Sequence, residues 1–440
     1  MKPKGLLIAV VLLAVLGGAV WWSNKKQAAA AKTPTDTTTK IVAIPEDQMV
    51  EIQIKHTGGD TVTLHRDNGK WQMTTPQALP VDSDAASSLT SSLSSVAADK
   101  TIEDNATDLS AYGLNTPQLD VVVTRKDGKK DELLLGDDTP TNSGTYAKRA
   151  GDGHVYTVAS FVKTGLDKKP DDLRDKRLLT FDQDKLTRVE LAAKGPAVEF
   201  GKNGSNEWSI LKPRPLRADG TQVDSLIGKL KDAKMDLTTP DPDAAKKFAG
   251  GTRIATATVS DSSGTQTLEV RQDKDHTYFA KSSAVEGVYK IASDVGDALN
   301  KSLDDFRNKK LFDFGFSDPG KVEVKGASYT KTSDKWMSGS KTMDNSSVQN
   351  LIDKLRDLAA TKFPEKGGGQ PVFDATVTSN SGKRVEKVTI DKSLDQYFAQ
   401  RDGEPSIYEL DSKAVEDLQR AASDVKEQAP PPPTAPSKKK

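Results

Sequence analysis

Apolar and polar residues alternate near the start of the folded part of the chain. The alternation covers residues 50–54 and again residues 61–65, and Gly58 and Gly59 lie between the two runs. A period of two is typical of a strand with one buried face, and glycines between two such runs indicate a turn. The pattern therefore predicts a β-hairpin.

A helical stripe follows this hairpin and is clearest late in the chain. Apolar residues recur there at intervals of three and four, as on the buried face of an amphipathic helix. The residues are Val348, Leu351, Ile352, Leu355 and Leu358. Asp344 or Asn345 is expected to cap this helix, because both types accept hydrogen bonds from free amides of the first turn.

The whole arrangement recurs three times, and the terminal strands carry the clearest signal. In each copy one aromatic residue precedes a second by ten residues. These pairs are Tyr146 and Tyr156, Phe279 and Tyr289, and Phe398 and Tyr408. Residues 173–179 (LRDKRLL) also resemble residues 306–312 (FRNKKLF). The recurrence of these landmarks in the same order indicates tandem structural units.

Two further landmarks keep the same order in each copy. A tryptophan closes the early strand pair, and a second hairpin carries a glycine where a tight turn needs a positive φ. These residues are Trp71, Trp208 and Trp336, and Gly128, Gly264 and Gly382. Recurrence of the tryptophans at one place favours core packing over a sugar-binding platform.

The predicted fold class is α+β: one N-terminal transmembrane helix followed by three tandem repeats of an antiparallel sheet packed with helices. The expected boundaries follow from the repeat landmarks and the composition of the ends. They are a transmembrane anchor at 1–24, a flexible tether at 25–45, repeat units at 46–182, 183–315 and 316–428, and a Pro/Lys-rich tail at 429–440.

The anchor prediction rests on residues 5–22, which carry no charge and end in Trp21 and Trp22. Eighteen helical residues reach about 27 Å, close to the hydrocarbon thickness of a bilayer, and indoles favour its interface. The alternative is a cleaved signal peptide, for which residues 28–31 supply small side chains. The anchor predicts a single-pass protein of the cytoplasmic membrane with most of the chain on the periplasmic side.

Composition excludes several classes of protein and site. The 440 residues contain 63 Lys and Arg and 63 Asp and Glu, so no net charge draws the chain to nucleic acid. There is no cysteine, which excludes disulfides, thiolate zinc sites, iron–sulfur clusters and a cysteine nucleophile.

No residue pattern identifies a catalytic, cofactor-binding or metal-binding site. His56 and His65 flank the first hairpin turn, but the spacing offers no third metal ligand. The many carboxylates lie mostly in turns and lack the calcium-loop pattern. No phosphate-binding loop, dinucleotide motif or nucleophile elbow is present. We therefore predict that the chain is not an enzyme and holds no cofactor.

One segment resembles a known family. Residues 108–117 read DLSAYGLNTP, and Asp127-Gly128, Leu135-Gly136-Asp137 and Tyr146-Ala147 follow, with Trp71 upstream. This order resembles the bacterial envelope family catalogued as domain of unknown function 4340, over about residues 48–315, with the third copy more diverged. The resemblance marks candidate residues for packing or interaction, four in residues 108–117 (called here the family string) and one upstream. They are Tyr112, Gly113, Leu114, Pro117 and Trp71.

The resemblance implies a single-anchor envelope protein, since some relatives are associated with gliding-motility-type ABC transport systems. It implies no catalytic residue. The leading hypothesis is thus a non-enzymatic scaffold or accessory subunit of a cell-envelope complex, with the lipid bilayer and a membrane protein as partners. Two alternatives stay open at this stage: a glycan- or polymer-binding module, and a carboxylate-based hydrolase.

Overall fold

A computed structural model describes residues 39–316 and 319–429. The predicted anchor, residues 25–38 of the predicted tether and the tail beyond residue 429 lie outside the described residues. Among the helices of the described part, none is both long and apolar enough to cross a membrane.

The chain divides into two compact units, with the boundary between Lys176 and Arg177. The first unit contains one large sheet, called here the first sheet, and a small two-stranded sheet. The second unit contains two large sheets, called here the middle sheet and the last sheet. All strand pairs within the three large sheets are antiparallel, as hairpins and meanders predict.

The elements of the first unit follow one another in the order hairpin, helix, hairpin, closing helices. Its strands are β1 (Lys40–Ala43), β2 (Met49–His56), β3 (Thr61–Asp67), β4 (Lys70–Thr75), β5 (Leu79–Pro80), β6 (Ser95–Ala97), β7 (Lys100–Glu103), β8 (Leu119–Arg125), β9 (Lys130–Asp138), β10 (Gly144–Arg149) and β11 (Val155–Ala159). Its helices are α1 (Ser83–Ser94), α2 (Ser160–Leu166) and α3 (Pro170–Leu173).

The middle sheet repeats this order. Its strands are β12 (Arg188–Ala192), β13 (Val198–Lys202), β14 (Trp208–Lys212), β15 (Leu216–Arg217), β16 (Thr252–Asp261), β17 (Gly264–Gln272), β18 (Tyr278–Ser282) and β19 (Val288–Lys290). Its helices are α4 (Gly220–Lys231), α5 (Ala244–Gly250), α6 (Ser293–Leu299) and α7 (Leu303–Phe306).

The last sheet repeats the order again. Its strands are β20 (Lys321–Val324), β21 (Ala327–Thr332), β22 (Lys335–Ser338), β23 (Lys341–Thr342), β24 (Ala360–Lys362), β25 (Gln370–Ser379), β26 (Arg384–Ser393), β27 (Gln396–Arg401) and β28 (Ile407–Leu410). Its helices are α8 (Asn345–Asp357) and α9 (Ser412–Ser423).

The spatial order of the strands confirms the sheet repeat. The first sheet runs β5-β4-β3-β2-β8-β9-β10-β11-β7, the middle sheet β15-β14-β13-β12-β16-β17-β18-β19, and the last sheet β23-β22-β21-β20-β25-β26-β27-β28-β24. In each sheet the first strand of the early meander pairs with the first strand of the second hairpin. The middle sheet lacks the ninth strand that closes the edge of the other two.

The predicted α+β class is wrong, because the chain is mostly β. Of the described residues, 43% lie in β-structure and 23% in helices, in four antiparallel sheets. Helices do form where apolar residues recur at intervals of three and four, but these helices are short. After β19 in the middle sheet the chain forms two short helices, α6 of seven residues and α7 of four. A few turns of helix lie against each meander of eight or nine strands, so the sheet dominates.

The local signals that set these elements are visible in the structure. Gly128 has a φ of 81° and Gly382 a φ of 88°, at the turns of the second hairpins. Asp219 accepts hydrogen bonds from Thr221 N and Gln222 N and so caps α4. Asp344, rather than Asn345, caps α8 by accepting from Ser347 N.

Each sheet has its own hydrophobic core, built from the inward-facing strand residues and the buried face of its long helix. The tryptophans belong to these cores to different degrees. Trp336 is 5% exposed, whereas Trp71 and Trp208 are half-buried at the margins of theirs.

Candidate functional site

The family-like string folds as a tight loop against the end of β9. A 3-10 turn over Ser110–Tyr112 ends at Gly113, whose φ of 65° and ψ of 20° lie in the left-handed region. A Cβ on Gly113 would lie 2.5 Å from Cγ of Asp137, and a Cβ on Gly136 would lie 2.1 Å from the Tyr112 carbonyl oxygen. Gly136 therefore allows the strand to approach the backbone of the loop, and Gly113 leaves room for the Asp137 side chain.

Neighbouring residues of the string fix the loop from several sides. The Tyr112 hydroxyl donates to Glu103 Oε2 at 2.9 Å, and its ring meets Tyr146 edge to face at 5.0 Å. The hydrogen bond to Glu103 raises the pKa of Tyr112. Leu114 is buried, and the carbonyl of Pro117 accepts from the hydroxyl of Thr57. The structure thus places these four string residues in contacts within the first unit.

Trp71 lies apart from the string, at the start of β4. Its half-buried ring packs on the core of the first sheet, with the Arg66 guanidinium 5.8 Å from the ring centroid. The structure brings the string residues together and leaves Trp71 outside that group.

In the first sheet Tyr112 covers Tyr146, the first aromatic residue of the repeated pair. The other two sheets cover the residue equivalent to Tyr146 in different ways. In the middle sheet Phe248 on α5 shares a small cluster with Phe279. In the last sheet Gly367 lies against Phe398, where a Cβ would come within 2.8 Å of the ring. In all three sheets this aromatic side chain is covered by another segment of the chain. The Tyr-Gly-Leu sequence provides that cover only in the first sheet.

The histidines do not form a metal site. His65 lies opposite Glu51 in the β2–β3 register, whereas His56 lies beyond the pair of Lys55 and Thr61, so the two rings are separated along the hairpin. His56 Nε2 lies 2.9 Å from Asp167 Oδ1 instead. Within the part of the chain that the structure describes, no three His, Cys, Asp or Glu side chains gather as a metal site.

A group of linked charged side chains lies where the middle and last sheets meet. Residues 307–313, called here the connector, join the two sheets. On one side Asn308 N donates to Arg217 O at 3.0 Å. On the other, Leu311 N donates to Leu358 O at 3.0 Å and Ala360 N to Lys309 O at 2.7 Å. The connector is thus hydrogen-bonded to both sheets.

Arg401 fastens the connector to the last sheet. Its guanidinium donates to Glu386 Oε1 at 3.0 Å, to Glu404 Oε1 at 2.7 Å and to the carbonyl of Leu311. The Glu386 side chain is only 5% exposed, and both of its oxygens also accept from Asp313 N at 3.0 Å. A carboxylate buried this deeply needs such partners, because its desolvation is costly.

Arg217 and Arg384 connect the middle sheet with the connector and the last sheet. Arg217 forms an ion pair with Asp313 and donates to Lys310 O at 2.9 Å. Arg384 on β26 donates to Asp313 O at 2.7 Å and forms an ion pair with Glu207 in the β13–β14 turn. Hydrogen bonds from Asn203 and Arg384 lower the pKa of Glu207.

Arg307 and Tyr408 complete the junction. The Arg307 guanidinium stacks on Phe363 at 3.6 Å and donates to the Ser406 hydroxyl at 3.0 Å. The Tyr408 hydroxyl donates to Glu404 Oε2 at 2.7 Å, and burial raises the pKa of Tyr408 to about 12. In the junction each arginine is therefore in contact with a carboxylate or an aromatic ring.

A cleft of about 600 Å³ opens beside these contacts. Residues of β13, β14, β15 and α4 form one wall, and the connector with β26 and β27 forms the other. Trp208 lies in the cleft, with its indole N–H donating to Asp224 Oδ1 at 2.7 Å and Lys202 Nζ 5.2 Å from its ring centroid. The cleft and the junction together are the candidate functional site.

Sequence reasoning did not find this site. Glu207 and Arg384 are 177 positions apart. Glu207 lies in a polar turn and Arg384 directly follows one, where charges usually face solvent. The one available signal was the similarity of residues 306–312 to residues 173–179, which marks the segment that joins successive sheets.

Comparison with known families finds one family model that matches the chain twice. The sequence model described as Domain of unknown function (DUF4340) matches residues 71–212 and again residues 208–380. The chain belongs to this family. Searches of curated proteins and of solved structures found no match.

The two family matches are offset from the sheets. Each begins at a tryptophan, Trp71 or Trp208, and continues into the early strands of the following sheet. The second match includes the whole connector and ends just after β25. The repeat that the family model recognises therefore includes the segment joining two sheets.

Gly136→Ala tests the close approach in the family string. The added methyl would meet the Tyr112 carbonyl, so we expect the first sheet to lose about 3 kcal/mol. Gly128→Ala is the control, because its φ of 81° is strained but no atom lies within 4 Å of the new Cβ, and it should cost only about 1 kcal/mol. Hydrogen exchange of β8–β10 measures both. Equal effects would contradict the packing role.

Arg401→Met tests the buried pair in the junction. It leaves Glu386 without its cation, so we expect a loss of about 3 kcal/mol in the last sheet and faster amide exchange in the connector. Adding Glu386→Gln should restore part of the loss, because a neutral amide needs no cation and its oxygen can still accept from Asp313 N. Arg420→Met is the control, since that side chain is 70% exposed and should change stability by less than about 0.5 kcal/mol. Slow connector exchange in Arg401→Met would refute the role.

Tyr408→Phe tests the alkaline limit of the junction. A pKa raised to about 12 means that folding favours the neutral phenol, so its stabilisation is complete below about pH 10 and is lost as the pH rises through 12. The variant should remove one late-titrating tyrosine from the ultraviolet titration and flatten the alkaline loss of stability. Tyr156→Phe is the control, because its pKa is also about 12 but it lies in the first unit. Only Tyr408→Phe should change exchange in the connector.

Proposed function

We propose that the chain is a non-enzymatic accessory protein of the cell envelope, in which the joined middle and last sheets present one continuous surface to a membrane-protein partner. The observation that carries the proposal is the junction itself. Arg217 and Arg384 connect the middle sheet with the connector and the last sheet, and Arg401 fixes the connector to the last sheet. Such an arrangement stabilises one relative position of the two sheets within the second unit, as a spacer or scaffold requires.

The chemistry of the cleft supports a binding role over hydrolysis. Its carboxylates are held by donors: Glu207 by Arg384, Asp313 by Arg217 and Glu386 by Arg401. The pKa of Glu207 is lowered, whereas a general acid needs a carboxyl group whose pKa is raised. These groups act as fixed anions that hold the sheets together.

The proposed location follows from the apolar residues 5–22, which have the length and interfacial tryptophans of a bilayer anchor. On this proposal the sheets lie on the periplasmic side and are attached to the cytoplasmic membrane. The absence of cysteine is compatible with an oxidising compartment.

The test is cross-linking in membranes, followed by solubilisation and mass spectrometry. The wild-type chain should fractionate with membranes and recover one membrane protein reproducibly. Arg401→Met should reduce that recovery by about tenfold, because it loosens the junction, while Arg420→Met should leave it unchanged. A freely soluble wild-type chain, or recovery that is the same for both variants, would overturn the proposal.

A further inference from the structure

The cleft at the junction has the size of a ligand site. Its volume of about 600 Å³ falls in the range of about 300–1,000 Å³ that small-molecule sites occupy. Its walls come from two sheets that the connector holds together, so its shape is set by the fold and needs no ordering when a ligand binds.

The charges of the cleft are balanced and mostly paired. Four cationic residues line it, and so do four carboxylates. Three of the cations are the arginines already paired with Asp313, Glu207 and Glu386. A lining of this kind offers no excess charge to a phosphate or a polycation, and it favours a polar ligand without net charge.

The remaining lining groups suit a sugar. Trp208 provides a half-buried aromatic surface, and Val385 on the other wall is 63% exposed. Pyranose rings present C–H faces to such apolar surfaces. The amide of Asn206 and the hydroxyl of Ser209 also line the cleft and can bond with sugar hydroxyls. The amides of Asn203 and Asn308 are already hydrogen-bonded, to Glu207 and to Asp313 respectively, and shape the wall instead.

The corresponding region of the last sheet supplies a contrast. A groove there is lined by Trp336, Asn345 and Asp353, but Trp336 is 5% exposed and no second sheet closes it among the described residues. The junction cleft differs from this groove because its indole, Trp208, is partly exposed and because a second sheet forms its other wall.

We propose that the junction cleft binds a neutral oligosaccharide, with one ring against Trp208 and its hydroxyls hydrogen-bonded to the Asn206 amide and the Ser209 hydroxyl. This inference is independent of the accessory role, because a sugar can occupy the cleft whether or not the outer surface contacts a membrane protein.

The experiment uses the full chain in phosphatidylcholine nanodiscs, which avoids glycoside detergents that would compete. Calorimetry and tryptophan fluorescence follow titration with the neutral pentamers of N-acetylglucosamine and of glucose, and with a trimer of galacturonate as the charged comparison. We expect saturable binding of at least one neutral pentamer, with a Kd below about 1 mM.

Val385→Glu is the main variant, because it adds a carboxylate to the cleft wall at an exposed position that does not contribute to the core. It should weaken binding of the neutral pentamer by about tenfold or more. Leu394→Glu is the matched control, since Leu394 is 92% exposed and lies in the β26–β27 turn away from the cleft lining. It should bind as the wild type does. Trp208→Ala should abolish the fluorescence change.

Three results would overturn the inference. The first is no binding of either neutral pentamer at concentrations up to about 1 mM. The second is equal weakening by Val385→Glu and Leu394→Glu. The third is tighter binding of the galacturonate trimer than of both neutral pentamers, which would assign the cleft to an anionic ligand.

Discussion

A buried carboxylate determines how the middle and last sheets are joined. Glu386 is almost completely shielded from water, so it is tolerated only while Arg401 and the main-chain amide of Asp313 both reach it. One of these partners belongs to the last sheet and the other to the connector. Any arrangement that moves the connector away takes the Asp313 amide from Glu386 and the Leu311 carbonyl from Arg401, and this penalty favours one geometry. The cleft, its walls and its balanced charge all depend on that selection.

The positions of the middle sheet that are equivalent to Glu386 and Arg401 are occupied by uncharged polar residues. There Gln266 Oε1 accepts from Thr180 N at 2.8 Å, and the Ser282 hydroxyl donates to the carbonyl of Leu178. These residues occupy the places of Glu386, Asp313, Arg401 and Leu311. The fold therefore needs an acceptor for one connector amide and a donor for one connector carbonyl. A charged pair adds strength and specificity to a requirement that an amide and a hydroxyl also meet.

Short-range pattern was enough to predict the repeating elements, because each is specified by residues close in sequence. Alternation in residues 50–54, the turn glycines and the apolar stripe of α8 all form the structures they indicate. The class was misjudged because the stripes show that helices exist but carry little information on how far each extends. The junction was not predictable, since Arg384 and Glu207 each look like a solvated turn residue until the chain brings them together.

The offset between the family matches and the sheets affects how the chain can be divided. A fragment bounded by the first match, residues 71–212, would leave out β2, the strand that pairs with β8 along nearly its whole length in the centre of the first sheet. Its loss would convert β8 from an interior strand into an open edge with unpaired amides and carbonyls, a surface that promotes aggregation. The part of this chain that is easiest to recognise in sequence is therefore a poor guide to the part that folds independently.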